Sequence, residues 1–248
     1  MHPVYVHIKK ELSPFYAEEE ASAMAKWISS DILHLSTLEL YTGKDMNFST
    51  KEWEELEDIL RRLKQREPLQ YILQEASFCG MSFHVEQGVL IPRPETEELV
   101  EWIVSDYREA GQVRILDIGT GSGCIPVSLA QLLPEAQVSS CDVSAEALRI
   151  AAMNIKRYGD KVTLFCADIL KEELPECQVD VLVSNPPYIT ESERTDMEAN
   201  VLDWEPELAL FVPDSDPLRF YRRIAWKGLD WLSEGGALYF EINRAYGA

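Results

Sequence analysis

Two patterns of apolar residues divide the chain. From residue 1 to about 74 they recur at helical spacing. Ala21, Met24, Ala25, Trp27, Ile28, Ile32 and Leu35 form one stripe of a segment running from Ala17 to Leu35. A second segment starts at Phe48-Ser49-Thr50, with a capping residue in place, and continues through Trp53, Leu56, Ile59, Leu60 and Leu63. Its outer positions are densely charged, which marks a solvated face. Between residues 75 and 92 the pattern changes. Ala76 to Val85 reads as a hairpin turning at Gly80, followed by Val89-Leu90-Ile91. Pro92-Arg93-Pro94-Glu95-Thr96-Glu97-Glu98 then opens a helix, with proline and acids in the first turn. That helix should end near Gly111.

From Val113 onward short apolar runs alternate with amphipathic ones. Strands are expected at 113–118, 137–143, 162–167, 179–185 and 236–242, and helices at 122–133, 144–157 and 217–232. Ser144 caps the second of these helices, with Glu146 in its first turn, and Asp216-Pro217 offers a cap and first-turn proline for the third. Such alternation implies α/β architecture with a doubly wound, mostly parallel sheet. The expected division is a helical domain at 1–74, a hairpin linker at 75–92 and an α/β domain at 93–248.

An apolar fraction of 46% supports a packed core rather than a disordered chain. The 23 basic and 43 acidic residues give a formal charge of −20, which argues against tracking a phosphate backbone. It suits a basic protein partner, or simply solubility. The five cysteines (Cys79, Cys124, Cys141, Cys166 and Cys177) show no C-x-x-C pair, so neither a disulfide framework nor a zinc site is expected. The first residues lack a basic stretch followed by an apolar core, and no apolar run reaches the ~18 residues of a membrane span. These features lead to the expectation of a cytoplasmic protein with no membrane contact and no bound metal.

Two motifs carry chemistry. The first strand of the α/β region ends in Asp117-Ile118-Gly119-Thr120-Gly121-Ser122-Gly123. Dinucleotide sites follow G-x-G-x-x-G, which needs glycine where this chain has Cys124. A G-x-G-x-G turn without that pattern fits S-adenosylmethionine, which has no phosphate and needs close backbone approach. Asp142, ending the next strand, is placed to accept ribose hydroxyls. Asp168, ending the third, is placed for the adenine amino edge, with Ile169 packing on the ring. Asp117 supports the loop or meets the methionine amino group. The second motif is Asn185-Pro186-Pro187-Tyr188, directly after the fourth strand. The Asn185 side-chain oxygen and the Pro186 carbonyl are two acceptors for the N–H groups of an amide or exocyclic amine. Prolines hold such carbonyls rigidly, and Tyr188 can stack on the planar group. Together the motifs point to methyl transfer onto a planar nitrogen. If the first and fourth strands are neighbours, both motifs line one crevice at the carboxyl ends of the sheet.

These residues resemble the HemK/PrmC family, the peptide chain release factor glutamine methyltransferases, over nearly the whole chain. The resemblance is carried by Pro68-Leu69-Gln70-Tyr71-Ile72, Leu90 to Glu97, the glycine loop, Asn185-Pro186-Pro187-Tyr188, Val201, Glu205-Pro206 and Ala209-Leu210. It implies a class I S-adenosylmethionine-dependent, Rossmann-like methyltransferase. The acceptor would be the side-chain amide of the glutamine in the Gly-Gly-Gln loop of release factors. Gly119, Thr120, Gly121, Ser122, Gly123, Asp142, Asp168 and Asn185 would hold the cofactor, and Asn185, Pro186, Pro187 and Tyr188 the glutamine. The helical domain would dock the release factor, with the enzyme a monomer that makes no direct contact with nucleic acid. Two departures stand out. The family usually has glycine where this chain has Gln74. The family also continues through a helix and two closing strands, so these C-terminal strands are read here as missing. The competing readings are an adenine amino methyltransferase on DNA or RNA and a cofactor-binding protein inactivated by C-terminal shortening.

Overall fold

A computed structural model of the chain describes residues 1–43, 48–171 and 178–246. Two compact units divide it, Met1–Leu73 and Gln74–Ala248. Cys177 lies outside the described residues.

The first unit is built from helices α1 (Pro3–Leu12), α2 (Glu18–Trp27), α3 (Thr37–Thr42), α4 (Thr50–Lys64) and α5 (Leu69–Leu73). The stripe expected to run from Ala17 to Leu35 is α-helical only to Trp27 and then widens into one π turn over Ile28–Ile32. There the Leu33 N–H reaches back to the Ile28 carbonyl, and Ile28, Leu33 and Leu35 are all buried. The wider turn inserts the extra residue that this burial needs. At α4, the Ser49 hydroxyl accepts from the Glu52 N–H while the Glu52 carboxylate accepts from the Ser49 N–H, a reciprocal cap. Leu56, Ile59, Leu60 and Leu63 face a core shared with Val4, Ile8, Leu12, Ala21 and Ala25. Full burial stabilises each large aliphatic side chain by roughly 1.5–3 kcal/mol. Trp53, on the same stripe, is instead 39% exposed, lying edge-on to His7 and Phe48.

The second unit opens with a hairpin, β1 (Ala76–Phe78) and β2 (Met81–Phe83). Its turn, Cys79-Gly80, has both residues at positive φ, +49° and +71°, the requirement of a two-residue hairpin turn. There follow α6 (Pro94–Tyr107), β3 (Arg114–Ile118), α7 (Cys124–Leu132), β4 (Gln137–Asp142), α8 (Ala145–Arg157), β5 (Val162–Cys166) and β6 (Val179–Ser184). The chain continues through β7 (Ile189–Thr190), α9 (Ala199–Trp204), α10 (Glu207–Leu210), β8 (Phe211–Val212), α11 (Arg219–Trp231) and β9 (Leu232–Phe240). The five-stranded sheet has the order β5-β4-β3-β6-β9, and every pairing in it is parallel.

Alternation along the strands divides the core between the two faces. Ile115, Val181 and Val183 pack with α6, α7, α8 and the hairpin phenylalanines Phe78 and Phe83. Leu116, Ile118 and Leu182 pack with Ile224 and Trp231 of α11. Several boundaries differ from expectation, two of them at the last helix and strand. The last helix begins at Arg219 with Leu218 in the cap position, and the Asp216 carboxylate pairs with Arg222 instead of capping. β9 begins at Leu232 because α11 passes directly into it. Between residues 190 and 212 the sequence patterning gave no element. The structure has a 3₁₀ turn (Glu191–Asp196), α9, α10 and a parallel β7–β8 pair there. Among the described residues no helix is long and apolar enough to cross a membrane.

At the amino end of the sheet the Asp180 carboxylate ties three strands. It accepts from the Arg114 N–H at 2.9 Å, from the Arg114 guanidinium at 3.0 and 3.2 Å, and from the Ser233 hydroxyl at 2.5 Å. The Arg114 guanidinium holds this carboxyl well below the usual carboxylate range. Its stabilising contribution is therefore complete above the ordinary aspartate range and disappears as pH falls toward the lowered value. Asp180→Asn should cost roughly 1–3 kcal/mol at pH 7. That penalty should shrink when urea midpoints are compared again at about pH 3. Gln74 sits exposed at φ +55°. The left-handed conformation costs a non-glycine residue roughly 1–2 kcal/mol, more than the roughly 0.4–1 kcal/mol of unfolded-chain entropy that glycine adds. Gln74→Gly should thus raise stability by about 0.5–1 kcal/mol, measured as an upward shift in Tm.

Candidate active site

The glycine loop bridges β3 and α7. Gly119, Gly121 and Gly123 all have positive φ, +82°, +54° and +82°. A Cβ at Gly119 or Gly121 would meet nothing within 4 Å, whereas one at Gly123 would press on Ala151 at 3.2 Å. The third glycine therefore lets α8 close on the loop, and the first two present bare backbone to open space. The loop is held from behind. Gly119 and Thr120 both donate their N–H groups to the Cys141 carbonyl, at 2.9 and 3.1 Å. Asn154 of α8, fully buried, donates to the Ser122 carbonyl at 2.8 Å and the His84 carbonyl at 2.9 Å, and accepts from the His84 N–H at 2.8 Å. Sequence reasoning passed over Asn154. Its one signal was a polar side chain inside the apolar stripe of a helix.

The acidic residues have different surroundings. Asp142 Oδ2 accepts from the Gly121 N–H at 3.0 Å and Oδ1 from the Ser144 N–H at 2.9 Å, fastening the loop to the end of β4. A carboxylate has about four acceptor positions, so two remain for hydroxyl groups. Asp117 is fully buried. Its Oδ2 accepts from the Ser140 hydroxyl at 2.6 Å, and its Oδ1 has no hydrogen-bond partner among the described residues. Burial pushes its carboxyl up to about 7, against the pull of the neighbouring Ser140 and Thr120 hydroxyls. Asp168 turns back on its own chain, accepting from the Leu170 N–H at 3.0 Å and pairing with Lys171. Ile169 packs into the core beneath the sheet, 6% exposed. The structure thus gathers Asp117, the glycines and Asp142 around one loop, while the Ile169 side chain is committed to the core.

The second motif follows β6. β3 and β6 are parallel neighbours, with Ile115, Leu116 and Asp117 opposite Val181, Leu182 and Val183. The Ser184 hydroxyl donates to the Ile118 carbonyl at 2.6 Å, stitching the two carboxyl ends together. The glycine loop and the Asn-Pro-Pro-Tyr turn consequently leave the same edge of the sheet side by side. A cavity of about 280 Å³ lies at the turn, lined by Leu90, Arg93, Asn185, Tyr188, Met197 and Leu210 among others. Pro186 is buried and Pro187 half-buried.

Three polar residues that the sequence reading left without a role complete this site. Thr96, buried in the first turn of α6, donates its hydroxyl to Glu241 Oε2 at 2.6 Å and accepts from Asn185 Nδ2 at 3.3 Å. The Tyr188 hydroxyl donates to Glu241 Oε1 at 3.0 Å. Burial, reinforced by that carboxylate, pushes the Tyr188 phenol well above its ordinary value, so it stays protonated. Glu205, itself buried, pairs with Arg93 and accepts from the Ile91 N–H at 3.1 Å, fixing the segment before α6 to the segment after α9.

A parallel Rossmann-like sheet, a glycine loop at its carboxyl edge with acceptors at Asp117 and Asp142, and an Asn-Pro-Pro-Tyr turn beside it define an S-adenosylmethionine-dependent methyltransferase. Residues 96–203 match the methyltransferase small domain model, and residues 5–73 match the PrmC N-terminal domain. The chain is 52% identical to a release factor glutamine methyltransferase of Bacteroides thetaiotaomicron, covering 100% of this chain and 88% of that one. It is 41% identical to a protein of the same name from Flavobacterium psychrophilum, over 95% and 84%. A third from Streptococcus pneumoniae is 40% identical over 92% and 81%. The chain belongs to the release factor glutamine methyltransferase family.

The buried Asp117 gives this site a pH signature. A carboxyl raised by burial binds its proton in the folded state before the unfolded chain does, so folding stability falls as pH rises from about 4 to about 7. Asp117→Asn removes that slope. The stability of the variant relative to wild type should climb across this range and level off above it, as read from urea midpoints at pH 5, 6, 7 and 8.

Proposed function

We propose that this protein transfers a methyl group from S-adenosylmethionine to the side-chain amide nitrogen of the glutamine in the Gly-Gly-Gln loop of peptide chain release factors. The reading is carried by one observation: the Asn185–Tyr188 turn and the glycine loop leave adjacent parallel strands at the same edge of the sheet. Gly119 to Gly123 with Asp117 and Asp142 would hold the cofactor, and Asp168 would reach its adenine edge. The open space beside Gly119 and Gly121 and the free acceptor on Asp117 fit such a ligand. Bound S-adenosylmethionine supplies the methyl group.

The protein's own residues meet a specific difficulty. An amide nitrogen delocalises its lone pair and attacks poorly. Asn185 Oδ1 and the Pro186 carbonyl accept its N–H groups, turn the lone pair toward the methyl donor and stabilise the positive charge that grows on nitrogen. The protonated Tyr188 stacks on the amide plane and keeps water out. The nitrogen becomes acidic as it is methylated, so no strong base is needed, and positioning supplies most of the acceleration.

The helical unit, Met1–Leu73, would dock the release factor. The charge of −20 complements a basic partner. That same charge disfavours an adenine amino methyltransferase, which must engage a phosphate backbone. A translation factor as substrate supports the reading of a cytoplasmic protein.

The test is methyl transfer from labelled S-adenosylmethionine to a release factor carrying Gly-Gly-Gln, compared with the same factor carrying Gln→Ala. Label should depend on that glutamine. Asn185→Ala should lower kcat by roughly 10²–10³, the scale of losing one preorganised partner of a developing charge. Cofactor binding without turnover by the wild-type protein would overturn the assignment.

A further inference from the structure

Asparagine presents an acceptor at one end of its amide and a donor at the other, and the two ends have nearly the same shape. Only one orientation serves the proposed reaction. With Oδ1 toward the substrate, Asn185 accepts an N–H of the incoming amide. Flipped, it would set its own NH₂ against another NH₂. Something must therefore choose the orientation before the substrate arrives.

The structure assigns that task to Thr96 and Glu241. An ionised carboxylate only accepts hydrogen bonds. Glu241 Oε2 accepts from the Thr96 hydroxyl at 2.6 Å, and this contact takes the single proton that the hydroxyl has to give. Thr96 Oγ1 can then only accept, and the group 3.3 Å away is Asn185 Nδ2. The donor end of the amide is drawn to Thr96, and Oδ1 is left facing the other way. The direction of three hydrogen bonds is thus set by one negative charge. The second oxygen of that charge, Oε1, accepts from the Tyr188 hydroxyl at 3.0 Å. One carboxylate consequently governs both the first and the last residue of the Asn-Pro-Pro-Tyr turn.

The relay is firmly mounted. The Thr96 N–H donates to the Arg93 carbonyl at 3.1 Å, and the Glu241 N–H donates to the Ser184 carbonyl at 3.2 Å. The Glu241 carbonyl accepts from the Tyr221 hydroxyl at 3.1 Å. Thr96 is 3% exposed, so water is not at hand to replace either partner. Thr96 and Glu241 are therefore positioning residues that act through Asn185. The inference rests on the reading of Asn185 as the ligand of the glutamine amide.

Thr96→Val keeps the shape of the side chain and removes the hydroxyl, and Thr96→Ser restores it. Glu241→Gln keeps the shape and removes the charge. Its NH₂ can donate to Thr96, which frees the threonine proton to reach Asn185 Oδ1 and reverses the relay. Affinity for a whole protein substrate is spread over a large surface, so loss of orientation should appear in kcat. Thr96→Val and Glu241→Gln should each lower kcat by about 10- to 100-fold. KM and the Kd for S-adenosylmethionine should stay within about twofold, and Thr96→Ser should recover most of the rate. A direct readout needs no substrate. The side-chain NH₂ signals of Asn185 in a ¹⁵N spectrum, identified by their loss in Asn185→Asp, should move in Thr96→Val and return in Thr96→Ser, with the other amide signals showing that the fold is intact. An unmoved Asn185 signal in Thr96→Val, or a Thr96→Ser as slow as Thr96→Val, would overturn the relay. If wild type labels no Gly-Gly-Gln glutamine, the substrate reading fails by itself, and the Asn185 signal alone decides the relay.

Discussion

The arrangement of this site depends on the pairing of β3 with β6. These strands are far apart in the chain, and hydrogen bonding places them next to each other in parallel. Parallel neighbours end at the same edge. The loop after one and the turn after the other must therefore emerge together, whatever their own sequences prefer. The Ser184 hydroxyl bound to the Ile118 carbonyl secures this at the last residue before each motif. Either motif alone is an ordinary strand exit. Chemistry becomes possible through their adjacency, which is a property of strand order.

What could be read in the sequence follows the same logic. The sheet was legible because β3 and β6 are buried on both faces and read as short apolar runs. The Ser144 and Ser49 caps were legible because a cap is a local hydrogen bond. The elements between residues 190 and 212 were not, since α9 and α10 are too short to show a period. Asp216 suggested a cap by its type. Its carboxylate is instead engaged with Arg222 on the surface.

In the site, residues adjacent to a motif were visible and those reaching it through space were not. The glycines and Asn185 announce themselves by spacing. Thr96 and Glu241 lie 145 positions apart, and each has an unremarkable local setting: a helix first turn and the end of a strand. Nothing in the linear order pairs them. Ile169 follows Asp168 beyond the end of β5, and its side chain packs in the core under the sheet.

Asn154 has a consequence of its own. Its amide joins the Ser122 carbonyl of the glycine loop to both backbone groups of His84, just beyond the hairpin. The loop is thus not an autonomous turn waiting to be ordered by what it binds. Its conformational entropy is already surrendered when α8 docks and the hairpin segment closes over it. A ligand reaching such a loop meets a finished mould, and the free energy of contact is available for affinity instead of being consumed in shaping the receptor.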